Sequence, residues 1–243
     1  MNSFKKYTLG TIGVAITLLL GVSCTKSFDM TTPSSDNSIS GSTAQVFLAT
    51  VGASRNYVYI DSKPVNGAAL ASGSLFPTSG YGFSVPAGQR ALLVRDTLST
   101  TTQAQLSFAH TFQAAKNYTV FVYDTITAPK VKTVETKIVV PADTSARIRF
   151  ANFVYNPTIV PTVDIISYKL NATLAAGLQV TDVTDFMPYP SLLLNDTIYI
   201  RETGTANTLY KFTTGGLTPK RSYTVVYRGS YRGTKTASLV ANY

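Results

Sequence analysis

The sequence predicts an all-β protein made of two antiparallel β-sandwich domains in tandem. Three observations carry that reading. Apolar residues recur with a period of two, as in "ARIRFAN" (Ala146 to Asn152), where Ile148 and Phe150 alternate with Arg147 and Arg149, so that one face packs and the other meets solvent. Three segments recur in order at a nearly constant offset of about 105 residues, the mark of a duplicated unit. Charged residues make up only 14% of the 243, while Tyr, Thr, Ser and Val abound, a balance that suits pleated, half-buried surfaces.

The chain opens with "MNSFKK", an uncharged apolar run, and "LLLGVSC" ending at Cys24, its one cysteine. A basic start, an apolar core and small residues before a cut are the layout of a secretory signal peptide over residues 1–23. With cysteine next after the small residue, the segment resembles a bacterial lipoprotein signal. That resemblance implies a diacylglycerol on the Cys24 thiol and cleavage that leaves Cys24 first. Leucine usually stands three places before such a cysteine. Here Gly21 holds that place and Leu20 precedes it, a looser form that resembles the lipoboxes of Bacteroidetes. An uncleaved span over Tyr7–Thr25 and free secretion are the alternatives. An acyl-anchored chain would sit on the outer membrane, on either its periplasmic or its surface face.

Residues 24–43 form the next segment. Ten of the nineteen residues after Cys24 are Ser or Thr, too few of them apolar to offset the entropy of ordering. The segment reads as a flexible tether spanning about 25 Å.

The first sandwich is expected over 44–141 and the second over 142–243. "AQVFLATV" (Ala44 to Val51) matches "ARIRFANF" (Ala146 to Phe153), "LLVRDT" (Leu92 to Thr97) matches "IYIRET" (Ile198 to Thr203), and "AKNYTVFVY" (Ala115 to Tyr123) matches "KRSYTVVYR" (Lys220 to Arg228). Turn signals such as "VPAGQ" (Val85 to Gln89) and "TTGGLTP" (Thr213 to Pro219) separate the runs. Tyr223 opens a strand six places after Leu217, the pattern of the tyrosine corner of immunoglobulin-like sandwiches, and Tyr118 is its counterpart. Both tyrosines are therefore assigned to structure. "IRFANFVYNPTIVPTVDI" (Ile148 to Ile165) and the closing "YTVV" resemble domain-of-unknown-function family 4397. The resemblance implies secreted or lipid-anchored bacterial sandwiches, often in tandem, and brings no established activity.

The formal charge is +9, and it is spread evenly along the chain. Residues 44–141 and 142–243 each carry a surplus of +4, with no recognition motif, so nucleic acid is not an expected partner. No metal, cofactor or catalytic residue is expected. His110 is the sole histidine, with no second imidazole or free cysteine to complete a cage. Asp182 and Asp185 are too few oxygens for calcium. Three Asp-Thr-apolar triplets, beginning at Asp96, Asp124 and Asp196, resemble an O-glycan acceptor pattern and also fit ordinary strand ends. In "VVYRGSYRGTK", Tyr227 and Tyr231 interleave with Arg228, Arg232 and Lys235, a candidate surface for anionic ligands. Its plainer reading is a hairpin with solvated arginines. The expected role is structural, adhesive or accessory binding in the cell envelope, with partners among membranes, glycans or envelope proteins. A glycan-binding accessory protein of a nutrient-uptake system is the alternative, and a hydrolase with an unadvertised site is third.

Overall fold

The period-two segments fold as strands, and the way the strands stack decides which of their faces meets water. The computed structural model describes residues 41–78 and 82–242. The signal peptide, Cys24, the alternative span Tyr7–Thr25 and the tether up to residue 40 lie outside the described residues. The fold class is all-β. Among the described residues no helix is long and apolar enough to cross a membrane.

The first copy runs β1 (Gly41–Leu48), β2 (Tyr57–Ile60), β3 (Lys63–Pro64), β4 (Leu75–Phe76), β5 (Phe83–Pro86), β6 (Gly88–Arg95), β7 (Leu106–Phe112), β8 (Asn117–Thr125) and β9 (Ala128–Glu135). One sheet has the order β4-β1-β8-β9 with β5 also on β1; the other has the order β3-β2-β6-β7. The second copy runs β10 (Ala146–Tyr155), β11 (Val163–Ser167), β12 (Ala172–Leu178), β13 (Met187–Tyr189), β14 (Thr197–Glu202), β15 (Thr208–Thr213), β16 (Ser222–Ser230) and β17 (Lys235–Ala241). Its sheets are β13-β10-β16-β17 and β12-β11-β14-β15. The tether expected over 24–43 therefore yields its last three residues to the fold. Gly41–Thr43 pair with Ser84–Pro86, and the Ser42 hydroxyl donates to the Val85 carbonyl at 3.0 Å.

Pairing is antiparallel except at one place in each copy, where β1 runs parallel to β8 and β10 to β16. The chain between those partners crosses to the opposite sheet and back, which gives the long connection that parallel neighbours need.

Both tyrosine corners form. The Tyr118 hydroxyl accepts from the Gln113 amide at 3.1 Å. The Tyr223 hydroxyl accepts from the Thr218 amide at 3.0 Å. Each ties the loop before the last long strands to the strand that follows.

Each sandwich has its own core. In the first, Val46, Leu48, Val120 and Val122 pack on Val58, Leu70 and Val94. In the second, Ile148, Phe150, Val225 and Tyr227 pack on Val163, Ile165, Ile198 and Ile200. A further core joins the copies: Phe47, Leu75 and Phe121 from the first meet Ala151, Phe153 and Val226 from the second. Four sheets are thus stacked, and the two inner ones are covered on both faces. The described residues form one compact unit.

This corrects one expectation. The face of β10 bearing Arg149 was expected to meet solvent, yet Arg149 is 3% exposed. Its strand does alternate, but the alternate face packs against the other copy instead of water.

Candidate functional site

The seam between the inner sheets is where the two copies place side chains of different chemistry against each other. Along β8 the odd positions Thr119, Phe121 and Tyr123 point into it, and along β16 the even positions Thr224, Val226 and Arg228 do so. At its centre Phe121 stacks on Phe153 with ring centroids 4.6 Å apart. Toward one end lies a polar lattice. Arg149 donates from Nε to the Thr224 hydroxyl at 2.8 Å, and from Nη2 to the hydroxyls of Thr119 at 3.0 Å and Thr136 at 3.2 Å. Thr119 and Thr224 hold equivalent places in the two copies, each directly after its tyrosine corner. Asn242 donates from Nδ2 to Gln45 Oε1 at 2.9 Å, again across the seam. Burial pulls the Arg149 guanidinium down to about 10, and Asp185 opposes that only in part.

Among the described residues, clefts lined by both copies open at the edges of this seam, and two of them carry charged side chains. One, with a volume of about 440 Å³, is lined by Tyr123, Asp124, Lys130, Phe153, Tyr155, Asn156, Thr162, Gln179 and Thr181, among others. Its one cation is committed: Lys130 Nζ meets Asp124 Oδ2 at 2.7 Å, a contact that raises the ammonium pKa. The Asn156 carboxamide has a fixed orientation, because Nδ2 donates to the Ile159 carbonyl and to Thr158 Oγ1, both at 2.9 Å. That leaves Asn156 Oδ1 buried with no hydrogen-bond partner. The remaining lining is hydroxyls, amides, partly buried tyrosine rings and the apolar side chains of Phe153, Val154, Val160 and Val180, a neutral surface of mixed polarity.

The other cleft, about 660 Å³, is lined by Val134, Glu135, Lys137, Val139, Arg147, Arg149, Val183, Thr184, Asp185, Phe186 and Pro188. It carries more charge, and Arg149 forms part of its wall.

The candidate anionic-ligand surface does not assemble as one face. Tyr227 is 1% exposed and sits in the core of the second sandwich, where burial pushes its hydroxyl pKa up. Its neighbour Arg228 points the opposite way, into the seam. There its Nε donates to Ser238 Oγ and its Nη1 to Ser72 Oγ, each at 3.1 Å. Gly73 makes room for it: a Cβ there would lie 2.1 Å from Arg228 Nη2, and the residue has φ +91°. Tyr231 packs partly buried against the second core. Lys235 Nζ donates to the Tyr231 carbonyl at 2.7 Å and stands 5.5 Å from the ring centroid. Of these five residues Arg232 alone is exposed. Successive residues of a strand face opposite sides, so interleaving Tyr and Arg separates them.

His110 lies edge-on to the rings of Phe112 and Tyr118, at 4.8 and 5.3 Å. Its Nε2 is buried without a partner, and burial lowers its pKa. Among the described residues no three His, Cys, Asp or Glu side chains gather as a metal group would need. Asp182 accepts from the Gln179 amide at 2.9 Å, a turn contact, whereas Asp185 is exposed on the second cleft. The triplet aspartates all hold the fold. Asp96 accepts from the Leu98 amide at 2.9 Å, Asp124 binds Lys130, and Asp196 is buried with the hydroxyls of Tyr189 and Ser167 donating to it. Neither cleft was legible in the sequence, since their residues come from strand ends and loops of both copies and share no motif.

No family model matches the chain, and no curated protein matches it. Among solved structures it is similar to one described as α-glucan recognition by family 41 carbohydrate-binding modules from streptococcal virulence factors. The identity is 12% and the TM-score 0.27, over 82% of this chain and 96% of that one. A second, on α-glucan binding by a streptococcal virulence factor, has 12% identity and a TM-score of 0.24, over 80% and 95%. A third is a family 26 carbohydrate-binding module from Eubacterium rectale Amy13K in complex with maltoheptaose, at 12% identity and TM-score 0.23, over 81% and 95%.

Proposed function

We propose that the protein is a non-enzymatic, lipid-anchored binding protein of the bacterial cell envelope that holds a neutral glycan in the smaller seam cleft. The observation that supports this is the cleft's lining. A sugar presents C–H faces that pack on aromatic rings and hydroxyls that pair with amides and carboxylates. Tyr123 and Tyr155 offer the first kind of contact. Gln179, Thr162 and Thr181 offer the second. With Lys130 held by Asp124, the cleft carries no free charge to favour an ion. Its volume falls in the range of small-ligand sites, about 300–1,000 Å³. Accessory capture for a nutrient-uptake system would use such a site, and membership of family 4397 is part of the same proposal. The four-sheet stack also favours a second reading, a stiff structural or adhesive spacer.

The anchor is tested by labelled palmitate, which wild type is expected to incorporate and Cys24→Ala to lack. The site is tested by calorimetric titration of the chain, starting after Cys24, with a panel of neutral oligosaccharides. Binding weakened about tenfold or more in Tyr155→Ala and Gln179→Ala, at unchanged melting temperature, supports the reading. A panel without a ligand, or a ligand bound equally by both variants, sinks it.

A further inference from the structure

The larger seam cleft contains a buried cation that the fold leaves unneutralised. Taking a guanidinium out of water is costly unless charge and hydrogen bonds compensate it. Arg149 is 3% exposed, yet every hydrogen-bond partner it has among the described residues is a neutral hydroxyl. The Phe186 ring lies 4.6 Å from its Cζ. The carboxylate it feels, Asp185, exerts only a distant pull and makes no ion pair with it. Nε and Nη2 are occupied. Nη1 makes no hydrogen bond among the described residues, and it is not among the sealed-off polar atoms. Since Arg149 lines the cleft, this donor is available there.

The surroundings define what would complete it. Lys137 is exposed on the rim. Arg147 stands two residues along the same strand, its Nη1 held by Ser145 Oγ at 2.9 Å. Against these three cations stand two carboxylates. Glu135 is bound to Lys116 at 2.7 Å, which leaves Asp185 as the free one. With Glu135 neutralised by Lys116, the cleft carries a positive excess that suits an anion. Apart from Thr184, its other walls are apolar: Val134, Val139, Val183, Phe186 and Pro188. A bare inorganic ion would leave those walls wet, whereas an organic acid would cover them.

We propose that this cleft binds a monocarboxylate whose apolar or ring-shaped body packs beside Phe186 while its carboxylate accepts from Arg149 Nη1. Sugar acids and acylated amino acids share that chemistry. The proposal concerns a different cleft from the neutral-glycan site and does not depend on it.

The test follows the Arg149 Nε–H resonance in a 15N-labelled chain starting after Cys24, titrated with glucuronate, N-acetylalanine, glucose and inorganic phosphate at neutral pH. A saturable shift with either carboxylate, and none with glucose, is expected; the tighter carboxylate identifies the source. Asp185→Asn keeps the buried lattice intact and removes the competing charge, so it should tighten carboxylate binding several-fold. Lys137→Gln, on the exposed rim, should weaken it several-fold. Lys137→Gln should leave the melting temperature unchanged, and the opposite directions of the two affinity changes separate a ligand site from a purely structural arginine. No shift with either carboxylate up to about 20 mM, a weak-affinity limit, overturns the proposal. So does phosphate binding more tightly than both carboxylates, or an affinity indifferent to Asp185→Asn and Lys137→Gln.

Discussion

Arg149 of the second sandwich donates to the hydroxyl of Thr119 in the first, at 3.0 Å, and both residues are buried. The same guanidinium binds Thr224 at 2.8 Å. One side chain therefore holds the equivalent threonines of both copies. A hydrogen bond to a charged group contributes about 1.5–3 kcal/mol, more than a neutral one, and a buried guanidinium N–H that loses its acceptor does not readily recover one from water. Thr119→Val, similar in shape but without the hydroxyl, should lower unfolding stability by about 1–3 kcal/mol. Urea unfolding with an unchanged m-value checks it, since the surface exposed on unfolding is the same.

Phe153 is the apolar counterpart of that lattice. It is 1% exposed and touches both Phe121 and Tyr123 of the other copy, at 4.6 and 5.2 Å. Truncation removes a large buried ring and leaves a cavity between two rigid sheets that cannot easily close. Phe153→Ala should cost about 3–5 kcal/mol. Because the ring belongs to the seam, amide hydrogen exchange should accelerate in the outer strands of both sandwiches, not the second alone.

In the second sandwich Asp196 is a buried carboxylate held by hydroxyls and an amide. Tyr189 Oη and Ser167 Oγ each donate at 2.5 Å, and the Lys169 amide at 2.8 Å. Burial and the Asp196 contact push the Tyr189 hydroxyl pKa up, so it remains a donor throughout the neutral range. Tyr189→Phe keeps the ring and removes one donor, and should cost about 1.5–3 kcal/mol. Denaturant titration measures it, and an effect below about 0.5 kcal/mol, the range of unremarkable surface changes, would show that Asp196 does not need this donor.

His110 gives the fold a dependence on acid. Burial lowers its folded-state pKa below the ordinary value of 6.5, so between those two values the unfolded chain binds the proton more tightly. The stabilising contribution is thus fully present above about pH 6.5, and it is lost as the pH falls toward the folded-state pKa. His110→Gln should flatten the melting-temperature profile in that window. An unaltered slope would assign the acid sensitivity to carboxylates instead.

How much of this was legible follows from which contacts are local. The tyrosine corners could be read because Tyr118 and Tyr223 bond to amides five residues away. The turns at "VPAGQ" and "TTGGLTP" fall between β5 and β6 and between β15 and β16, where proline and glycine puncture the pattern. The stacked seam could not be read in the same way. Alternation says that Arg149 and Ile148 face opposite sides, but only the position of the other copy, a long-range matter, says that both sides are covered. A signal was present: "YTVFVY" and "FANFVY" are apolar at odd and even positions alike, as expected of strands buried on both faces. Arginine and threonine on the second face masked it, since singly they read as surface. Tyr227 and Arg228 illustrate the same gap, one lying in a core and the other in the seam.

The claim on which both clefts depend is that the two sandwiches share one core. Differential scanning calorimetry of the chain starting after Cys24 tests it most directly. A single transition whose calorimetric and van't Hoff enthalpies agree is the predicted result, because Phe121, Phe153 and Arg149 couple the copies into one cooperative unit. Two resolved transitions, or a calorimetric enthalpy about twice the van't Hoff value, would mean that the sandwiches melt independently and would contradict the seam.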